Sequence, residues 1–439
     1  MVIFMKNKSI WNQEQLPNFK TLTNNIETEV LIIGGGIAGI LCAYELSKRK
    51  INYILVEKDQ IASHTTKNTT AFITAFHETL YQDLIQKQGV IKAKQYLELN
   101  LQALKKYEDL AKQYDFDYEK CSATLYSSSN QDLILKEQEA LEQLGYQTTI
   151  VNQLPLNTKI SLGLTYSNQA IINPYKLIKN IVEDLNIYEH TKIIKIKKNI
   201  AITTNNHQIK FKQLVIATNY PILNKSTLNF MKITQKRSYV AAVKHSKIDG
   251  TYCDIDDGGL YFRSQGNYLI IGGNDREHKK ECISDFRQRI APLIKDKQLE
   301  FFWSGQDAFT LDGIPYIGKY DLLHPNYYVI TGFGFWGFTW SMVASILIAD
   351  MLEGKSQHPL VNPMRITINK TLGENLVNSV KHLITFKKPR CAHLGCALKY
   401  NEIDQTWECP CHGSRYDQEG NLLDGPAQKG ITNQLYRKE

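Results

Sequence analysis

The first sixty residues alternate between short apolar runs and an amphipathic stretch. Residues 29–33 are mostly apolar and predict a buried strand, whereas residues 37–50 carry apolar side chains at helical spacing and end in basic residues. A second strand is predicted at residues 53–56, and Glu57 follows it directly. These three elements together predict a βαβ unit.

The periodicity then changes along the chain. Amphipathic helical patterns occur within residues 80–113, 132–144 and 175–184. Residues 230–305 alternate between apolar and polar positions in the manner of an antiparallel sheet. A strand at residues 327–331 leads through a glycine-rich turn into a helix that ends near residue 352. An α/β part and an antiparallel α+β part are therefore predicted.

The C-terminal part has a different composition. Residues 354–385 have the pattern of a linker with one amphipathic helix at residues 373–384, and the change in composition begins near residue 387. Four of the eight cysteines fall between positions 391 and 411. The N-terminus lacks the apolar region of a secretory signal, so we expect a cytoplasmic protein. In that compartment, clustered cysteines favour metal chemistry over structural disulfides.

Composition and charge narrow the possible functions. The chain has 439 residues, of which 43% are hydrophobic and 22% are charged, as is usual for globular proteins that contain more than one domain. Its net charge is +8, but the basic residues are spread along the chain and no window combines them with aromatic residues. We therefore predict no nucleic-acid binding. No apolar run reaches the roughly 18 residues of a membrane span.

A glycine-rich motif lies between the first predicted strand and helix. The G-x-G-x-x-G pattern is formed by Gly34, Gly36 and Gly39, and Glu57 ends the next strand about 20 positions on. The glycines allow the backbone to approach a pyrophosphate, and the helix N-terminus offers N–H donors to its charge. Glu57 would accept hydrogen bonds from the ribose hydroxyls. This context predicts a dinucleotide site.

The first 355 or so residues resemble the D-amino-acid-oxidase/glycine-oxidase superfamily of FAD-dependent oxidoreductases. The matching segments are residues 62–71, 217–221, 312–318 and 331–339. The resemblance implies FAD as the cofactor. It also implies a Rossmann-like α/β FAD-binding domain with an antiparallel α+β substrate domain. The cofactor-binding residues that the motif and the resemblance together indicate are Gly34, Gly36, Gly39, Glu57, Thr65, Thr66, Thr69, Thr70, Ala71, Ala217, Thr218, Gly332, Gly334 and Thr339.

The resemblance says less about which residues bind and oxidise the substrate. Members of the superfamily that oxidise amino acids usually have an arginine just before the segment at residues 312–318, where it binds the substrate carboxylate. This chain has Gln306 and Asp307 there instead. Arg263, on a predicted strand, is a candidate replacement, although arginines on sheets are more often ion-paired or solvated. His77 is a second candidate catalytic residue, with a structural histidine as the alternative interpretation.

Two short cysteine and histidine loops follow near the C-terminus. Cys391 and His393 lie in the first loop, and Cys409 and His412 lie in the second. The surrounding sequence, including the Gly-Pro-Ala turn at residues 425–427, resembles Rieske proteins. That resemblance implies a [2Fe–2S] cluster with two thiolate and two imidazole ligands. Neutral imidazoles raise the reduction potential of such clusters to about −150 to +300 mV.

The Rieske resemblance assigns roles to five further residues. Cys396 and Cys411 stand where the cytochrome-bc type places a disulfide between the ligand loops. Ser414 and Tyr416 stand where high-potential members have hydroxyls that bond to the cluster and to a ligand thiolate. Such donors favour the reduced state and raise the potential. Pro426 belongs to the family's third loop over the cluster.

A Cys2His2 zinc site would use the same four ligand types. Zinc would not explain the other two cysteines or the two hydroxyl residues, so the Rieske interpretation is preferred. The C-terminal module is also shorter than a complete Rieske domain, which predicts that it packs against the flavoprotein. The predicted organisation is an oxidoreductase domain at residues 1–355, a linker helix at 356–385 and an all-β Rieske subdomain at 386–439. Within the first, FAD-binding segments are predicted at about 26–100, 170–222 and 305–355, and substrate segments at about 100–170 and 222–305.

The combined pattern resembles bacterial FAD-dependent oxidoreductases with a Rieske domain. It predicts an enzyme that moves electrons between flavin and cluster and oxidises an amine or amino-acid-like substrate. An external electron acceptor or donor would complete the cycle. The alternative is an electron-transfer protein that serves a redox partner and has no small substrate of its own.

Overall fold

The computed structural model describes residues 8–155, 158–223, 229–277, 283–294, 299–367, 382, 389–402 and 405–435. The strands in chain order are β1 (Ile26–Ile33), β2 (Tyr53–Val56), β3 (Phe72–Ile73), β4 (Glu119–Ser127), β5 (Thr149–Val151), β6 (Leu162–Ile171), β7 (Ile187–Tyr188), β8 (Ile193–Lys197), β9 (Ile200–Thr203), β10 (Gln208–Ile216), β11 (Ile233–Lys244), β12 (Thr251–Asp254), β13 (Leu260–Gln265), β14 (Tyr268–Glu277), β15 (Phe301–Thr310), β16 (Tyr316–Lys319), β17 (Tyr327–Thr331), β18 (Lys399–Asn401), β19 (Thr406–Glu408), β20 (Arg415–Tyr416) and β21 (Leu422–Asp424). The α-helices are α1 (Ile37–Lys48), α2 (Leu80–Gln88), α3 (Val90–Ala111), α4 (Gln131–Gln143), α5 (Pro174–Ile181), α6 (Asn229–Lys232), α7 (Ile283–Ile294), α8 (Gly337–Leu352) and α9 (Thr432–Leu435). The 3-10 turns are Ile10–Gln13, Thr65–Asn68 and Pro359–Val361.

The predicted βαβ unit forms the centre of the first sheet. Its strands run in the order β16-β17-β10-β1-β2-β7, and β1, β2, β7, β10 and β17 are parallel. The strands β2 and β17 are buried along their whole length, as expected of parallel strands covered on both faces. Because parallel strands end at the same edge, the loops after β1, β2 and β10 meet there. The prediction of a Rossmann-like fold is confirmed.

Two helices, α1 and α8, pack against each other on this sheet. The helix α8 is apolar almost throughout, and most of its side chains are buried. A helix that is apolar on every side belongs in the core of a large domain. Within the ranges given above, no helix combines the length and apolarity needed to cross a membrane.

The second sheet carries the predicted antiparallel region. Its order is β15-β11-β14-β13-β12-β4-β6-β3, and its pairs are antiparallel except that β12 pairs with β4 in parallel. Two details differ from the sequence pattern. The helical region at residues 80–113 is broken at Gly89, which adopts φ +88° as glycines readily do after a helix. The helix α7 interrupts the predicted run of strands.

The third sheet is small and antiparallel, in the order β18-β19-β20-β21. Each of its strands has only two or three residues. Its buried core includes three cysteines, Cys391, Cys396 and Cys409, together with Leu398, Tyr416, Ala427 and Ile431. The predicted all-β subdomain is confirmed. The predicted linker helix at residues 373–384 lies outside the described residues, apart from position 382.

Candidate functional site

The glycine-rich turn after β1 is built so that only glycine fits at its key positions. Gly34 adopts φ +113°, and a Cβ atom there would lie 2.5 Å from the Ala217 carbonyl oxygen. A Cβ atom on Gly39 would lie 1.9 Å from the Gly34 carbonyl oxygen. Gly36 caps α1 without a side-chain hydrogen bond. The Ile37 N–H in the first turn of α1 already donates to the Thr66 hydroxyl at 3.0 Å, so the helix offers a bound anion its positive dipole and its other first-turn N–H groups.

Glu57 is held rigidly at the end of β2. One carboxylate oxygen accepts a hydrogen bond from the Gly35 backbone N–H at 2.7 Å, and the other accepts one from the Asp59 N–H at 3.0 Å. Its side chain lines the same cavity as the glycine turn. A carboxylate fixed in this way can accept further hydrogen bonds from ribose hydroxyls.

A single long cavity connects most of the predicted cofactor residues. Those that line it are Gly34, Gly36, Glu57, Thr65, Thr66, Thr69, Thr70, Ala217 and Thr218. The other predicted residues, which do not line the cavity, are Gly39, Ala71, Gly332, Gly334 and Thr339. Thr339, for example, donates its hydroxyl to the Thr74 carbonyl oxygen at 2.9 Å. Gly334 adopts φ +54° and donates its N–H to the Ala308 carbonyl oxygen.

Sequence reasoning missed several lining residues. Asn219 donates to the Thr65 hydroxyl at 3.2 Å and to the Gln306 carbonyl oxygen at 3.3 Å, which ties the cavity wall to β15. Aromatic side chains form one end of the cavity: Phe72, Tyr261, Phe333, Phe335, Trp336 and Phe338. The matched segments at residues 217–221 and 331–339 contained several of these residues and were the available signal. An apolar aromatic wall suits a flat ring system.

Arg263 is not placed to bind a substrate carboxylate. It is fully buried and donates to the Ala71 carbonyl oxygen at 2.8 Å and to the Ile172 carbonyl oxygen at 3.2 Å. Its guanidinium group also lies over the Trp11 ring. Burial lowers the pKa of Arg263 to about 9. None of the described residues that line the cavity is an arginine, so the sequence-based candidate role for Arg263 is not supported.

His77 has the surroundings of a structural histidine. Its Nε2 donates to the Thr74 carbonyl oxygen at 3.0 Å, and its Nδ1 accepts from the Tyr96 hydroxyl at 2.5 Å. Burial lowers the pKa of His77 to about 3, so the ring is neutral near pH 7. Its ring stacks on Trp336 at 4.6 Å, and Trp336 lines the cavity whereas His77 does not. His77 thus supports the cavity wall from behind.

In addition to Glu57, the flavoprotein contributes two carboxyl groups to the cavity lining, those of Glu78 and Asp307. Burial, together with the nearby charge of Asp424, raises the pKa of Asp307 to about 7. Although Glu78 is solvent-exposed, the desolvation of its carboxyl group by surrounding protein atoms raises its pKa, and Lys236 opposes that rise. Glu78 adopts φ +54°, which is uncommon for a residue with a side chain and is found more often at functional sites. These groups give the cavity a titratable, acidic lining.

The four predicted cluster ligands converge at one end of the third sheet. The rings of His393 and His412 lie 5.1 Å apart at 88°. Thiol hydrogen bonds from Cys391, then from Cys396 and Cys411, hold the pKa of Cys409 well below its usual value. Two cysteines and two histidines that lie together, with only His393 partly exposed, match the donor set of a Rieske cluster. The residues present therefore fit a [2Fe–2S] group.

Cys396 and Cys411 also lie beside the ligands. Their sulfur atoms, the Cys409 sulfur and a His412 ring nitrogen all lie within 4.8 Å of one another. Both cysteines are free thiols in the structure, so the disulfide implied by the Rieske resemblance is not formed. The two sulfurs are nevertheless close enough that oxidation would require little movement of the loops.

Hydroxyl groups surround the ligand set. The Tyr416 hydroxyl lies 3.3 Å from the Cys391 sulfur and accepts a hydrogen bond from the Ala392 N–H at 3.0 Å. The Ser414 hydroxyl accepts from the Ala427 N–H at 3.0 Å, which leaves its proton available to donate. Tyr416 is thus placed to bond to a ligand thiolate, as the resemblance implies. Pro426, in the predicted third loop, lines the cavity.

The cluster module is fastened to the flavoprotein by buried polar contacts. Arg237 on β11 is fully buried and pairs with Glu408 on β19 at 2.8 Å. Although burial opposes it, the charges of Arg237 and Arg415 hold the pKa of Glu408 below its usual value. The Gln306 amide donates to the Gly413 carbonyl oxygen at 2.9 Å. These contacts bring module residues 422–428 into the cavity wall.

Comparisons with known proteins agree with both parts of the structure. The family described as FAD dependent oxidoreductase matches residues 29–351, and the family described as Rieske [2Fe-2S] domain matches residues 353–434. The chain is 31% identical to the putative Rieske 2Fe-2S iron-sulfur protein YhfW of Bacillus subtilis, over 95% of each chain. A glycine oxidase from Geobacillus kaustophilus superposes with a TM-score of 0.66 at 17% identity, covering 78% of this chain and 100% of that one. An L-amino acid deaminase from Proteus vulgaris superposes with a TM-score of 0.66 at 18% identity, covering 80% of this chain and 97% of that one.

Proposed function

The chain belongs to the FAD dependent oxidoreductase family and carries a Rieske [2Fe-2S] domain, and on this basis we propose that it oxidises an amine or amino-acid-like substrate at the flavin. The electrons then pass one at a time through the cluster to an external acceptor. Flavin supplies the chemistry for this division, because it takes up two electrons together and releases them singly. FAD and a [2Fe–2S] cluster are the cofactors.

The observation that carries the proposal is that the two cofactor sites share a wall. The cavity that begins at the glycine turn and Glu57 is closed in part by residues 422–428, which belong to the cluster module. Lys192, also in the cavity wall, donates to the Gln428 carbonyl oxygen at 2.8 Å. If the cluster module exchanged electrons only with an external partner, its residues would not need to line the flavin cavity.

The cavity lining supports an amine more directly than a simple amino acid. Glu78 and Asp307 line the cavity, whereas no arginine is present among its described lining residues. A carboxylate substrate is usually held by a bidentate arginine. The oxidase and deaminase named above act on amino acids by their titles, and this chain shares their fold.

The proposal is tested by anaerobic titration of the purified holoprotein with a panel of amines and amino acids. A substrate should bleach the flavin absorbance and then produce the rhombic EPR signal of the reduced cluster. The Cys409→Ser variant is the control, because it removes a cluster ligand and leaves the glycine turn and Glu57 of the flavoprotein unchanged. The flavin absorbance of this variant should bleach with the same substrate, and the EPR signal of the reduced cluster should be absent.

Bleaching of the flavin without any reduction of the cluster would contradict the proposed electron route. Reduction of the cluster by a protein donor, with no response to any amine or amino acid, would instead favour a second function. In that case the chain would be an electron-transfer flavo-iron-sulfur protein without a small substrate. The presence of Gln306 and Asp307 where amino-acid oxidases have an arginine is the observation that favours this second function.

A further inference from the structure

Tyr220 lies where the two cofactor sites meet. It follows β10, the strand whose end supplies Ala217 and Thr218 to the cavity wall, and it lines that cavity itself. Its ring also packs edge-on against His393, with ring centroids 6.0 Å apart and an interplanar angle of 80°. One side chain therefore contacts both the flavin cavity and a ligand of the cluster.

The described residues around Tyr220 pack against its ring and make no hydrogen bond to its hydroxyl group. The side chain is 4% exposed and packs with Ile233, Ala308 and Tyr316. Its hydroxyl has no hydrogen-bond partner within the described part of the chain. Buried tyrosine hydroxyls usually find a partner, and one without a partner costs free energy. Phenylalanine would therefore satisfy the packing equally well, so the ring itself is the feature to explain.

A ring in van der Waals contact with both sites shortens the gap that an electron must cross. Electron tunnelling falls steeply with distance and is faster through packed atoms than across empty space. A cluster ligand is bonded directly to iron, so contact with His393 amounts to contact with the redox centre.

We propose that Tyr220 couples the flavin to the histidine-ligated iron of the cluster, and this inference rests on the function proposed above. With both cofactors bound, one electron would pass from the reduced flavin to a ferric iron held by His393 and His412, so that the flavin is oxidised by one electron and that iron is reduced to ferrous. Tyr220 would keep all its bonds, and an external acceptor would take the electron from the cluster before the second one follows.

The test measures internal electron transfer in the full-length holoprotein without a substrate. The flavin is photoreduced anaerobically by a laser flash, and reduction of the cluster is followed by its absorbance. Tyr220→Leu and Tyr220→Met should both slow this transfer by an order of magnitude or more, whereas Tyr220→Phe should retain the rate. Either aliphatic variant suffices if the other fails to fold.

A matched control distinguishes a loss of electron transfer through Tyr220 from a general loss of packing in the buried cluster. Tyr316 belongs to the same buried cluster and does not line the cavity. Tyr316→Leu should therefore leave the transfer rate unchanged. Iron content, FAD content and the potentials of both cofactors should match the parent protein in all variants, because Tyr220 is expected to affect the rate and not the driving force.

The outcomes distinguish this inference from the proposed function. Transfer that is equally fast in Tyr220→Leu and in the parent protein would overturn the role of Tyr220 alone. Changed cofactor potentials that fully account for a slower rate would also overturn it. No transfer from photoreduced flavin to cluster in the parent protein would overturn the proposed function itself.

Discussion

The two cofactor sites are stabilised in different ways. In the flavoprotein, the glycine turn and Glu57 lie at the ends of buried parallel strands, and two large hydrophobic clusters form the core around those strands. In the cluster module, four strands of two or three residues enclose a small core that includes the ligand cysteines Cys391 and Cys409. The flavin site is supported by large cores that extend well beyond it, whereas the cluster ligands are themselves part of the small core of their module.

This difference follows from size. Several hundred residues bury enough apolar surface to support an independent core, whereas a few dozen residues usually need a metal, a disulfide or a partner. The cluster module uses the metal ligands Cys391 and Cys409 in its core and the flavoprotein contact through Arg237 as its partner. Metal binding and folding are therefore expected to be coupled in the module and separate in the flavoprotein.

The largest expected effect is on cluster retention. Cys409→Ser replaces a fully buried thiolate ligand with a weak one, so the cluster should be lost completely. FAD should remain bound, because the glycine turn and Glu57 belong to the flavoprotein. Iron, sulfide and flavin content measure both results. Cys121→Ser, a change on β4, is the control and should retain both cofactors; loss of FAD from Cys409→Ser would show that the flavin site is not independent.

The next effect concerns the contact between the two regions. Glu408→Gln removes the carboxylate from the fully buried Arg237, a change that typically costs on the order of 3 kcal/mol. The module should then open more often, with faster proteolysis and hydrogen exchange in residues 405–435 than in the flavoprotein. Glu419→Gln, on the exposed surface of the module, is the control. Equal protection in the two variants would mean that the ion pair does not hold the module.

A smaller effect is expected on the cluster potential. Tyr416→Phe removes the hydroxyl that lies 3.3 Å from the Cys391 sulfur, and Ser414→Ala removes the second predicted donor. Each should lower the potential by roughly 60 mV, which corresponds to a tenfold change in a one-electron equilibrium. Redox titration followed by EPR measures the shift, with Tyr400→Phe on β18 as the control. A potential that is unchanged in both variants would rule out this role.

The comparison also explains what the sequence could and could not predict. The turn at Gly34 and the ligand loop at Cys409 are local patterns, because each chemical requirement is met within a few neighbouring residues. The contact of Arg237 with Glu408 joins positions 171 apart, and no local pattern encodes it. Arg263 was assigned a candidate role from its type alone, and only the surrounding carbonyl oxygens reveal that it is structural.

The smallest effect tests whether the two regions share electrostatics. Burial and the charge of Asp424, a module residue, raise the pKa of Asp307 from 3.8 to about 7. Because the folded state binds this proton more tightly than the unfolded state, the resulting stability is complete below the ordinary pKa and is lost as the pH rises toward 7. The unfolding temperature should thus fall from about pH 5 to about pH 8, and Asp307→Asn should reduce that fall.

Asp424→Asn should partly reduce the fall in unfolding temperature, because the repulsion between Asp424 and Asp307 is lost. The exposed Asp184→Asn is the control and should not alter the fall. If Asp424→Asn behaves like Asp184→Asn, the pKa of Asp307 is set by burial in the flavoprotein alone, and the electrostatic link between the regions is absent.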